Sequence, residues 1–183
     1  MRTISLPPSF IAPTGQTLST AALLLIALLS PTSPARAQDS SELIRPRTHP
    51  VKYDAALGAG VADLGASKLR QLAVTLIELP PGVQLPPQRM LAEEMIYIVS
   101  GTGYTLLWNK TSDQQIRYDW KAGDLLSPSL NAWRQHANAS STELARYIVI
   151  STAPLTRRLF QNPAFLTANE FTFNDRWKDS VGL

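Results

Sequence analysis

At 183 residues the chain has room for one ordinary domain, and its 44% hydrophobic and 17% charged residues fit a globular protein rather than a disordered one. The formal charge is only +3 and no basic run stands out, which argues against nucleic acid or an anionic membrane surface as partner. Cysteine is absent, so disulfides, thiolate catalysis and cysteine-held zinc are excluded and stability has to come from packing.

The N-terminus reads as an export leader. Arg2 is followed by an apolar block at residues 21–29, too short to span a bilayer as a helix. The small-x-small triplet Ala35-Arg36-Ala37 then offers a cleavage point before Gln38. Residues 1–37 are expected to be a signal peptide, with an uncleaved anchor as the alternative, and the mature protein to be exported, periplasmic or secreted. Their removal takes away two arginines and leaves a mature charge of about +1, with no pull toward a membrane.

Residues 38–65 show neither helical nor strand period where they begin and are expected to form an extended arm, with the folded domain at 66–155 and a C-terminal extension at 156–183 packed on it. Residues 72–79 are β-branched and stopped by Pro80-Pro81-Gly82, the pattern of a strand entering a turn. The apolar run 95–99 and the run 104–108 flank Gly101-Thr102-Gly103, which predicts a hairpin. Further strands are expected at 116–120, at 125–127 and at 145–151, and a short helix around 156–160 limited by Pro163. Short strands at near-regular spacing imply an all-β sandwich or barrel of the jelly-roll type.

Two spaced motifs give the segment from Pro80 to Ala153 a family resemblance. The first reads Pro81-Gly82, then Gln88-Arg89-Met90, then Glu94, and closes on Gly101 with six residues between it and the acid. The second reads Gly123-Asp124, Pro128, Trp133-Arg134-Gln135-His136 and Asn138. In order and spacing these resemble the two motifs of cupins, and the second is most similar to the branch of aromatic-acid dioxygenases. The resemblance implies a double-stranded β-helix jelly-roll barrel. It also implies an interior metal, held by a His-x-His pair and glutamate of the first motif and a histidine of the second.

This sequence departs from that ligand set. Gln88 and Met90 stand at the positions of the His-x-His pair, and Arg134 stands where the branch has a histidine. A neutral amide and a thioether are poor ligands for iron, manganese or nickel, and a guanidinium has no lone pair to give. Only Glu94 and His136 remain as weak metal candidates, so no cofactor is expected, with a divalent Fe, Mn or Ni as the alternative.

Three readings follow. The first is a protein that holds a small polar or anionic molecule through Gln88, Met90, Glu94, Trp133, Arg134 and His136, with Arg134 as the carboxylate-binding group. The second is an enzyme, either a metal-dependent dioxygenase or a metal-free isomerase or lyase, with Glu94 and His136 as the catalytic candidates. The third is a structural or oligomerising module, a homodimer that uses the arm and the Phe171-Thr172-Phe173 segment. The motif positions also predict an ion pair between Glu94 and Arg134, with the guanidinium in the place of the cation. Glu93 and Glu94 are adjacent on a strand and should point to opposite faces. Asn109-Lys110-Thr111 and Asn138-Ala139-Ser140 match the glycosylation sequon.

Overall fold

The computed structural model describes residues 43–65, 69–110 and 114–181, all within the unit Ser40–Leu183, so the expected signal peptide at 1–37 lies outside them. The strands are β1 (Lys52–Asp54), β2 (Ala59–Asp63), β3 (Ala73–Leu79), β4 (Glu94–Ser100), β5 (Thr102–Trp108), β6 (Ile116–Lys121), β7 (Leu125–Leu126), β8 (Trp133–Asn138) and β9 (Ala145–Ser151). Every ladder is antiparallel: one sheet runs β1-β2-β3-β9-β4-β7 and the other β6-β5-β8. The segment after β3 widens the second sheet through bridges from Gln84 to Ala137 and from Gln88 to Arg134. This is the jelly-roll arrangement that the short strands implied.

Period-two alternation builds the interior. Along β4, Glu94, Ile96 and Ile98 are buried while Met95 and Tyr97 are exposed. Ile96 and Ile98 lie opposite Val149 and Tyr147 of β9, and Ile77 of β3 meets Tyr147 from the other side. Trp120 crosses from the second sheet to meet Tyr147 edge-on at 6.4 Å, closing one core between the sheets.

The expected hairpin between the 95–99 and 104–108 runs does not form. β4 pairs with β9 and β7, whereas β5 pairs with β6 and β8. The β4–β9 ladder slips between Ile98 and Ser100, and the chain then turns out of the first sheet at Gly101, whose φ is 82°. A Cβ there would sit 2.7 Å from Ala145 Cα, so a side chain would collide with the start of β9. The glycine is a corner between sheets.

The second half of the expected arm carries two strands. β1 and β2 join β3 by continuous pairing, from Lys52↔Val61 to Asp63↔Thr75. The carboxylate of Asp54 accepts from the amides of Ala56 and Leu57 in the turn between them. Ahead of β1, the arm is tied to its own sheet by Arg146, whose Nη1 donates to the carbonyls of Pro46, Arg47 and His49.

The C-terminal segment carries α1 (Ala153–Phe160), α2 (Pro163–Thr167) and α3 (Asn174–Val181). The helix expected around 156–160 is α1, which ends before Pro163; Pro163 in turn opens α2, with the Asn162 side chain accepting from Ala164 N at 3.0 Å. Leu166 of α2 is buried with Ala92 and Ala153, which seats the extension on the barrel. Among the described residues no helix is long and apolar enough to cross a membrane.

Candidate functional site

Strand β8 supplies the site. Its alternation sends Arg134, His136 and Asn138 to one face, all buried, and Trp133 and Gln135 to the other. Arg134 lies opposite Leu107 and His136 opposite Thr105 on β5, while Glu94 opens β4 on the facing sheet. Arg134 Nη2 approaches Glu94 Oε2 to 2.6 Å, with both side chains 6–7% exposed. The pair inferred from motif spacing is present, and it is buried.

Burial sets the electrostatics. Desolvation raises the Glu94 carboxyl above its ordinary range, and the Arg134 charge opposes that shift. Desolvation, aided by the Arg134 charge, pushes His136 down to about 3, so its imidazole is neutral at physiological pH. Trp120 Nε1 can only donate, and it does so to Thr105 Oγ1 at 3.0 Å; Thr105 in turn meets His136 Nδ1 at 2.7 Å. We assign the Thr105 hydrogen to Nδ1, which leaves the ring proton on Nε2. The Tyr147 ring lies 5.0 Å from His136, and burial pushes its phenol pKa up.

Gln88 joins this group through the backbone. It exchanges two 2.8 Å hydrogen bonds with Arg134, the geometry in which facing side chains share one side of the ladder. Met90 does not join: it packs against the cluster of Ala92, Ala153 and Leu166 beneath the C-terminal helices. Trp133 does not join either, because it occupies the opposite face of β8, stacked on Trp108 at 6.1 Å with Arg89 5.0 Å from its ring centre. Thr105, Trp120 and Tyr147 do belong, and residue type gave no notice of them; only strand register brings them in. Glu93 is exposed while Glu94 is buried, as adjacent strand positions require.

The asparagines of both sequons are 4% exposed. Asn138 Nδ2 donates to the carbonyls of Leu79, Pro80 and Glu143, and Asn109 Nδ2 donates to Asn174 Oδ1, so neither amide is presented for glycosylation.

The donor set does not fit the metal that the motif resemblance implies. Glu94 is engaged by a fixed cation, Met90 is turned into a separate cluster, and Arg134 repels a second positive charge. Among the described residues no three His, Cys, Asp or Glu side chains come together to hold an ion.

No protein-family model and no curated protein sequence matches the chain. Solved structures do match. The Schizosaccharomyces pombe Cnp3 cupin domain aligns over 66% of this chain and 84% of its own, at 14% identity and a TM-score of 0.51. The fold is that of a cupin. Oxalate oxidase in complex with the substrate analogue glycolate aligns over 66% of this chain and 64% of its own, at 15% identity and a TM-score of 0.51. Peruvianin-I, a cysteine peptidase from Thevetia peruviana latex, aligns over 66% and 77%, at 14% identity and 0.52. Identities this low carry the fold alone, and fold does not fix function. The contrast within the set makes the point: this chain contains no cysteine, so peptidase chemistry of that kind has no nucleophile here.

Proposed function

We propose that this chain is an exported, metal-independent cupin that binds a small polar or anionic molecule at its Glu94–Arg134–His136 cluster. Export rests on the leader-like residues 1–37. The observation that carries the binding reading is the buried Arg134–Glu94 pair, a permanent cation at the centre of the barrel. A guanidinium has five N–H donors, and the contact to Glu94 is made through Nη2, so further donors remain for an incoming carboxylate or hydroxyl. Gln88 stands beside it across the bridge to β8.

A cleft that reaches Glu94 supports this reading. It measures about 500 Å3 and is lined by Glu94, Met95, Ser127, Ser129, Ser151 and Thr152, within the size range of small-molecule sites. Its hydroxyl-bearing residues suit a hydroxylated ligand.

Acid-base catalysis draws less support. A general base works best with a pKa near the operating pH, and His136 is held at about 3. Its Nδ1 is also committed to Thr105.

The test is a thermal-shift titration with small carboxylates, malate and benzoate among them. Binding at the cluster predicts a saturable rise in Tm that Arg134→Gln abolishes. No response in the wild type, or an equal rise in the variant, rejects the assignment.

A further inference from the structure

Four phenylalanines stand around one hollow beside the barrel. Phe160 closes α1, Phe165 lies on α2, and Phe171 and Phe173 belong to the chain between α2 and α3. The rings of Phe160 and Phe165 lie 4.4 Å apart, and Phe171 and Phe173 meet edge-on at 4.8 Å. Phe160 is nonetheless 47% exposed and Phe171 63%. With Leu91 and Leu130 these rings line a space of about 580 Å3. Exposed apolar side chains that cluster mark a binding surface, whereas scattered ones do not. The polar lining is turned to the backbone: Thr156 Oγ1 donates to Thr152 O at 3.4 Å, and Asn169 Oδ1 accepts from Phe171 N at 2.8 Å. The hollow suits an apolar group.

This hollow adjoins the cleft that reaches Glu94, because Glu93, Leu130 and Thr152 line both. The boundary is fixed: Glu93 N donates to Thr152 Oγ1 and Thr152 N donates to Glu93 O, each at 3.0 Å. Across it the chemistry changes. On the cleft side Thr152 Oγ1 keeps its own hydrogen to donate, and Ser127, exposed and 3.5 Å from Glu94 O, keeps lone pairs to accept. Both carboxylates of the cleft are balanced, Glu94 by Arg134 and Glu93 by Arg176 at 3.8 Å. No net charge is left to draw in an ionic head. A hydroxyl, at once donor and acceptor, matches what the cleft presents.

We propose that cleft and hollow are two halves of one site for an uncharged amphiphile, with a polyhydroxyl head in the cleft and a short alkyl or aryl tail among the four phenylalanines. This rests on the reading of the cleft as a binding site, and it narrows the ligand from polar or anionic to polar with an apolar tail.

Calorimetric titration of the full chain with methyl, butyl and hexyl β-glucoside, and with hexanoate, tests this. Affinity should rise about two- to fourfold with each added methylene, as burial of an alkyl chain requires. Hexanoate, with the same tail length and an ionic head, should bind more weakly than hexyl glucoside. Phe160→Ser and Phe171→Ser change exposed side chains, so neither threatens folding. Each should weaken hexyl glucoside several-fold and leave methyl glucoside unchanged, and sedimentation should give wild type and Phe171→Ser the same mass. Affinity indifferent to chain length, hexanoate as tight as hexyl glucoside, or wild-type affinities in both variants would overturn the proposal. So would a dimer that Phe171→Ser converts to monomer, because a second copy would then cover the rings. Failure of the barrel reading shows differently, as a malate response that is absent or that Arg134→Gln does not alter, while the glucoside series is unaffected.

Discussion

Arg134 on β8 and Glu94 on β4 join the two sheets through a 2.6 Å contact between Nη2 and Oε2, with both side chains nearly inaccessible. Removing one partner of a buried pair strands the other charge, at a cost of about 3–5 kcal/mol. Arg134→Leu and Glu94→Leu should each lose stability on that order in urea unfolding. The double change to apolar residues should recover most of the loss, because no charge is then left buried. Single variants with unchanged midpoints would show the pair to be solvated.

His136 makes stability depend on pH. Its folded pKa of about 3 lies below the ordinary 6.5, so the stability it supports is intact above pH 6.5 and is lost as pH falls toward about 3. Glu94 works in the opposite sense: its raised folded pKa contributes stability that is present at low pH and lost as pH rises through that value. Comparison with His136→Gln isolates the histidine. The stability difference between wild type and variant should narrow below pH 6.5 by up to about 1.4 kcal/mol per pH unit. A difference that does not vary with pH would mean that His136 is hydrated.

Asn138 pins the turn after β3 to the turn after β8. Its Nδ2 serves three carbonyls at 2.8–3.1 Å and its Oδ1 accepts from Ser140 N at 2.9 Å. Asn138→Ala leaves several buried groups unpaired and should cost about 3 kcal/mol by chemical denaturation. Asn138→Asp should be little better, since a carboxylate cannot donate to carbonyls. A loss below about 1 kcal/mol would show that water replaces the amide.

Gly103 sits under Trp120. A Cβ at this position would meet Ala137 O and the Trp120 ring at 2.2 Å, closer than real Cβ contacts come. Gly103→Ala should displace Trp120 from the core, lower stability by about 1–3 kcal/mol as overpacking does, and shift tryptophan emission to the red. Unchanged emission and stability would contradict the packing described.

Legibility followed locality. β4 and β9 were readable because apolar β-branched runs declare themselves, whereas β8, Trp-Arg-Gln-His-Ala-Asn, hides its buried face behind polar side chains. β2 is built of Ala-Gly-Val-Ala-Asp, small residues with little strand propensity, and the arm crosses closely enough that a Cβ on Gly60 would lie 2.5 Å from Val51 Cγ2. Gly101 marked a turn correctly, but whether the chain reverses within a sheet or crosses to another depends on β9, some 45 residues on. In the site, motif spacing brought Glu94, Arg134 and His136 together. It could not show that Met90 faces the C-terminal helices, or that Tyr147 and Thr105 complete the cluster, because partner strands decide both.

The central claim is that a guanidinium stands where a cation would otherwise sit among Glu94 and His136. Metal content measured by mass spectrometry, on full-length protein incubated with iron, manganese and nickel and then desalted, tests it most directly. The account predicts far less than one equivalent of any of the three. Close to one equivalent in the wild type, lost in Glu94→Gln, would contradict it.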